Sequence, residues 1–182
     1  SCTLGTTLSF LDDFLMIDAN ETFDGTWPFC PRFTSVSGFK QHYVDEGPRG
    51  AETILCLHGE PTWGYLYRNM IGPLSENFRV VVPDHMGFGK SETPQDRVYT
   101  LQTHVENLER FVEDLDLQDV TIVCQDWGGP IAGAFTARNS SRVSRLFVAN
   151  TVLGYGGGAA AGRTPWFEWI AKHEEAGTLN GI

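Results

Sequence analysis

From residue 41 onward the chain alternates short β-branched runs with longer segments of helical period, a pattern that predicts an α/β fold with a largely parallel sheet. Strands are expected over 41–46, 53–57, 79–82, 120–124 and 142–149. Most are near-continuous apolar runs, as strands covered on both faces should be, so the sheet is expected to be mostly interior. Leu101, Val105, Leu108, Phe111, Val112 and Leu115 recur at helical spacing with Glu106, Glu109, Arg110 and Glu113 among them. That predicts an amphipathic helix over 101–116 with a solvated polar face. A shorter helix is expected over 65–76. Another is expected over 129–139, opened by Gly128, Gly129 and Pro130, where small residues (Ala132, Gly133, Ala134, Ala137) allow close packing on the sheet.

This pattern divides the chain into an N-terminal arm at 1–26, a core at 27–153 and a tail at 154–182. The arm has no clear period and is expected to be extended or packed as a loop on the sheet. The tail opens with a Gly/Ala tract and continues into Thr164-Pro165-Trp166-Phe167-Glu168-Trp169-Ile170, a linker into a new apolar element. No internal repeat is visible. At 182 residues and 41% hydrophobic, the composition is that of one globular domain rather than a disordered tail. A chain of this size buries roughly 70% of its unfolded surface, enough for a core without disulfides.

Thirteen Lys plus Arg against 23 Asp plus Glu give a formal charge of −10, which opposes nucleic acid or an anionic bilayer as a partner. There is no apolar run of about 18 residues to span a membrane, and no basic start leading into an apolar stretch to suggest a signal peptide. Cys2, Cys30, Cys56 and Cys124 form neither a C-x-x-C motif nor a zinc-type pairing with histidine, so no metal site is expected. Cys56 and Cys124 lie in apolar strand-like runs and read as small buried hydrophobes. Reduced thiols in a cytoplasmic protein follow.

The strongest chemical signal is Val120-Thr121-Ile122-Val123-Cys124-Gln125-Asp126-Trp127-Gly128-Gly129, a buried strand entering a Gly-rich turn and then a helix. This is the pattern of a nucleophile elbow, with small residues Cys124 and Gly128 two before and two after the nucleophile slot, which holds Asp126. A carboxylate suits attack at saturated carbon, because the alkyl ester it forms can be hydrolysed at its own carbonyl, whereas an alkylated serine would be an inert ether. An aspartate capping the following helix is the plainer alternative. The second signal is Cys56-Leu57-His58-Gly59-Glu60-Pro61-Thr62-Trp63-Gly64-Tyr65-Leu66-Tyr67-Arg68, directly after a strand. A His-Gly loop there supplies a backbone N–H to an oxyanion hole, so the expected donors are the amides of Glu60 and Trp127.

These motifs resemble the haloalkane dehalogenases of the α/β-hydrolase superfamily, over roughly residues 27–170. His42-Tyr43-Val44-Asp45-Glu46-Gly47, Pro83-Asp84, Gly87-Phe88-Gly89-Lys90-Ser91 and Leu115-Asp116-Leu117 join the two motifs in carrying the likeness, which is to the subfamily with Glu after His-Gly. The resemblance implies an α/β-hydrolase fold entering a cap at 154–182. It implies that Asp126 attacks the halogen-bearing carbon of a haloalkane, that halide leaves toward the Trp127 indole, and that water hydrolyses the ester. A second halide-binding tryptophan would come from the cap, with Trp169 the first choice and Trp166 the second. Packing of both within the cap is the alternative. No cofactor is implied, and the oligomeric state is open.

The resemblance also implies a histidine base and an acid partner, and these are absent from the 182 residues. Asn150 stands where another subfamily carries its acid and cannot serve as one. His58, His85, His104 and His173 are poor substitutes for the base, so the chain as written is expected to stall at the alkyl ester. An epoxide hydrolase or haloacid-type dehalogenase of the same superfamily is the alternative function, and a catalytically incomplete fragment is another. Glu60, Trp63 and Gln125 favour the haloalkane dehalogenase. Gly89-Lys90-Ser91 lacks the first glycine of a phosphate-binding loop, and Gly156-Gly157-Gly158 lacks a dinucleotide fingerprint.

Overall fold

The computed structural model describes residues 17–153 and Lys172. A six-stranded sheet forms from β1 (Arg32–Thr34), β2 (Gln41–Glu46), β3 (Thr53–Leu57), β4 (Arg79–Pro83), β5 (Val120–Gln125) and β6 (Val143–Ala149), in the order β1-β2-β4-β3-β5-β6. β4, β3, β5 and β6 run parallel, while β1 and β2 add an antiparallel edge. The helices are α1 (Arg68–Ser75), α2 (Leu101–Asp114) and α3 (Gly128–Arg138). This is the largely parallel α/β sheet that the alternating pattern predicts.

Side chains on successive strand positions face opposite ways, and each central strand feeds two cores. Leu55, Leu57, Val81, Ile122 and Cys124 pack under α2 and α3 with Val105, Leu108, Phe111, Ile131 and Phe135. Ile54, Cys56, Val80, Val82 and Val123 pack on the other face with Ile71 of α1 and with Trp27. Burying each such side chain contributes about 1.5–3 kcal/mol, which is why these runs lack polar alternation.

Four differences from the sequence pattern have physical causes. β1 is three residues long, too short to show a period, and is recruited by pairing with β2 and by the edge contact of Phe33 with His42. The helix expected over 65–76 begins as a 3₁₀ turn, Gly64–Tyr67, before α1. α2 is capped by the Thr100 hydroxyl accepting the Thr103 amide and ends at Asp114, because Asp116 adopts a left-handed φ of 45°. The expectation of a mostly interior sheet fails at β6, where Phe147 is 60% exposed. Among the described residues no strand pairs with the far edge of β6.

Residues 19–26 are tied to the core. The Lys90 Nζ, itself buried, donates to the carbonyls of Ala19 (2.9 Å) and Glu21 (2.7 Å), and Phe23 packs on Trp63 and Tyr65.

Candidate functional site

The site lies at the C-terminal ends of β3, β4 and β5, where a parallel sheet presents its loops. Asp126 sits between β5 and α3 with φ +51°, a left-handed conformation that a non-glycine residue holds only when its surroundings enforce it. Three contacts do so. The Gly129 amide donates to the Asp126 carbonyl at 3.0 Å, and the Thr151 hydroxyl donates to the same carbonyl. Gly128 lies so close to β3 that a Cβ there would meet the Leu57 carbonyl oxygen at 2.2 Å. The turn therefore requires a residue without a side chain at 128.

This strained turn places the Asp126 carboxylate against the loop after β3. Its Oδ1 accepts two backbone N–H bonds, from Glu60 at 2.9 Å and from Trp127 at 2.7 Å. Charge-assisted bonds of this kind are stronger than neutral ones and fix the carboxylate plane, and both fall on Oδ1. Gly59 makes the approach possible, since a Cβ on it would come within 2.4 Å of Asp126 Cβ and Oδ1. The structure thus brings Glu60, 66 positions away in the chain, to the adjacent pair Asp126 and Trp127, all three singled out in the sequence. Trp127 is 38% exposed.

Beside this cluster opens a cavity of about 320 Å³, lined among others by Glu60, Trp127, Phe88, Tyr99, Leu101 and His104. Its walls are mostly apolar and aromatic, suited to a small apolar group. Among the described residues no group of three His, Cys, Asp or Glu side chains could hold a metal ion.

The histidines form a buried array behind the loop. The His58 Nε2 accepts the His85 amide at 2.9 Å and its Nδ1 donates to the Gly59 carbonyl at 3.1 Å, a network that assigns the neutral Nδ1–H tautomer. The His85 Nε2 donates to the His58 carbonyl at 3.1 Å. Burial pushes the pKa of His58, His85 and His104 below the usual 6.5, most strongly for His85. None of the three hydrogen-bonds to Asp126.

Asp84, which enters the sequence pattern only within Pro83-Asp84 and with no role attached, is a fully buried hub. Its Oδ1 accepts the Gly64 amide (2.8 Å), and its Oδ2 accepts the His42 Nδ1–H (2.8 Å) and the Lys90 amide (2.9 Å). It thereby joins β2 to the loops after β3 and β4. A Pro-Asp after a strand was the available signal, but its partners lie 6 to 42 positions away. Thr151 was likewise missed, and nothing local marks it. Cys56 and Cys124 are buried, and burial pushes the Cys56 thiol up to about 12. Asn150 ends β6 exposed, with φ 47°. Trp166, Trp169 and His173 lie outside the described residues.

A family model described as the alpha/beta hydrolase fold matches residues 52–178. The chain is 47% identical over 132 residues to a haloalkane dehalogenase of Psychrobacter cryohalolentis, covering 69% of this chain and 44% of that protein. It is 37% identical over 134 residues to a cis-3-alkyl-4-alkyloxetan-2-one decarboxylase of Xanthomonas campestris, covering 69% and 45%. Among solved structures, a tetrameric haloalkane dehalogenase from Paraglaciecola agarilytica is similar with a TM-score of 0.73 at 38% identity, covering 82% of this chain and 52% of the other. The chain spans about half the length of the curated relatives it matches.

Proposed function

The chain belongs to the alpha/beta hydrolase fold family, and from that premise we propose that it carries the nucleophile and oxyanion hole of a haloalkane dehalogenase. The observation that carries the reading is the pair of amides, Glu60 and Trp127, converging on one carboxylate oxygen of Asp126 at a left-handed turn. This is a nucleophile elbow with an aspartate at its tip. The similarity to dehalogenases at 42–47% identity supports the choice of halide as leaving group.

In this reading Asp126 Oδ2 attacks the halogen-bearing carbon. A C–O bond forms, the carbon–halogen bond breaks, and halide departs with the bonding electron pair toward the Trp127 indole N–H. Attack needs no base, because an ionised carboxylate has no proton to lose. Water then adds to the ester carbonyl, whose oxygen is the former Oδ1 already held by the Glu60 and Trp127 amides, and its collapse releases alcohol and regenerates the carboxylate. Such donors, aimed in advance at the developing oxyanion, are worth about 10²–10³ in rate each. Addition of water calls for general-base help of about 10²–10⁴-fold, and none of His58, His85 or His104 hydrogen-bonds to Asp126. Trp169, with Trp166 as second choice, is assigned as the further halide ligand, on the resemblance of the Glu60-type motif. Substrate, halide and water are the partners, and the buried thiols suit the cytoplasm.

The test is intact mass after incubation with a primary bromoalkane, alongside measured halide release. One alkyl group added to the wild type and none to Asp126→Asn is the expected result. Halide release undiminished in Asp126→Asn overturns the assignment. The decarboxylase relative favours a second reading, in which the same carboxylate opens a strained four-membered ring ester. Release of CO₂ from an oxetanone without halide release from the bromoalkane would select it.

A further inference from the structure

His58 is buried behind the reactive loop, and both of its ring nitrogens are engaged, although it does not itself line the cavity and makes no hydrogen bond to Asp126. The atom it holds is informative. The Gly59 carbonyl and the Glu60 N–H belong to one planar peptide unit, so fixing the direction of the carbonyl fixes the direction of the N–H. That N–H is one of the two donors on Asp126 Oδ1.

The Gly59 oxygen accepts three bonds: from the Thr62 amide (3.0 Å), the Thr62 hydroxyl (3.1 Å) and His58 Nδ1–H (3.1 Å). The Thr62 bonds come from the same loop and would move with it. The His58 bond is anchored elsewhere, because the His85 amide at the end of β4 donates to Nε2, and the His85 ring donates back to the His58 carbonyl. The Asp84 hub, one residue before His85, fixes that end of β4.

We propose that His58 is a positioning residue: by clamping the Gly59 carbonyl to the end of β4 it sets the plane of the Gly59–Glu60 peptide and aims the Glu60 amide at the Asp126 carboxylate. The inference rests on the assignment of Asp126 made above. It requires the neutral Nδ1–H tautomer, since a proton on Nε2 would face the His85 N–H.

Three substitutions separate the two ring nitrogens. His58→Ala removes both bonds. His58→Asn places an amide nitrogen near the Nδ1 position and restores the donor to Gly59. His58→Gln reaches the Nε2 position and restores only the acceptor for His85. The readouts are the ¹H–¹⁵N resonance of the Glu60 amide and the rate of Asp126 alkylation by 1-bromobutane, followed by intact mass. In His58→Ala and His58→Gln the Glu60 resonance is expected to move upfield and lose exchange protection, with alkylation slowed by about tenfold or more as the Asp126 carboxylate loses its fixed orientation. In His58→Asn most of both is expected to return. A Glu60 resonance that stays in place in His58→Ala, or Asn and Gln variants that behave alike, overturns the proposal. If His58→Ala does not fold, the Asn and Gln pair decides alone. If the wild type is never alkylated, the nucleophile assignment fails while the Glu60 resonance still judges the positioning role.

Discussion

Lowering the pH from 7.5 to 5.5 is expected to cost the fold stability through His58 and His85, up to a ceiling of about 2–3 kcal/mol for the pair. Both rings are buried, and burial is the largest influence pushing their pKa below the usual 6.5. The Asp84 charge opposes it at His58, and the neighbouring His58 and His104 reinforce it at His85. In the unfolded chain both return to about 6.5. Below that pH the unfolded state takes up protons that the folded state refuses, so stability falls as pH falls and is fully present only above the unfolded value. One pH unit under 6.5, a histidine that stays fully neutral in the fold forfeits about 1.4 kcal/mol, which sets the ceiling above for the two, with His85, pushed down furthest, the larger contributor. Asp45, held low by its arginines, titrates below this window and does not contribute to it. Urea unfolding by tryptophan fluorescence at constant ionic strength measures the slope. His85→Gln, whose amide can still donate to the His58 carbonyl, should remove half of it or more. Equal stability at pH 7.5 and 5.5, or an unchanged slope in His85→Gln, would refute the reasoning.

Trp127→Phe removes the indole N–H offered to halide, a charge-assisted bond worth about 1.5–3 kcal/mol, and should slow halide release by about ten- to a hundredfold in stopped-flow assays with bromoalkane. Asp45 is 1% exposed and is bonded by Arg79 (2.9 Å) and by Arg49. Burial alone would raise its carboxyl, but the two guanidiniums outweigh it and hold it below 3.8. Asp45→Asn should therefore lower stability by about 2–3 kcal/mol at pH 7. That difference should shrink as the pH falls through the depressed carboxyl value, measured by urea unfolding at both ends. Lys90→Met breaks the two bonds to the Ala19 and Glu21 carbonyls and should expose residues 19–26 to limited proteolysis while the core stays resistant.

The sheet was legible in the chain because its central strands are covered on both faces, so burial wrote itself into the sequence as unbroken apolar runs such as 54–57 and 80–82. The turn at Asp126 was legible for a related reason: its left-handed residue carries the chain so close to β3 that position 128, against the Leu57 carbonyl, has no room for a side chain, and Gly128 records that steric demand locally. The Glu60 and Trp127 amides could be assigned because strand–loop and strand–helix junctions fix where their N–H groups point. What the chain could not disclose were the long-range polar bonds. Asp84 joins Gly64, His42 and Lys90, and Thr151 braces Asp126, through atoms on β2 and on the segments that follow β3, β4, β5 and β6, whose meeting depends on strand order β2-β4-β3-β5-β6 and not on any local spacing. His58 shows both sides. Its place after a strand marks it as part of the loop, but only the packed structure, by bringing the His85 amide to one ring nitrogen and the Gly59 carbonyl to the other, determines its tautomer and hence what it can hold in place.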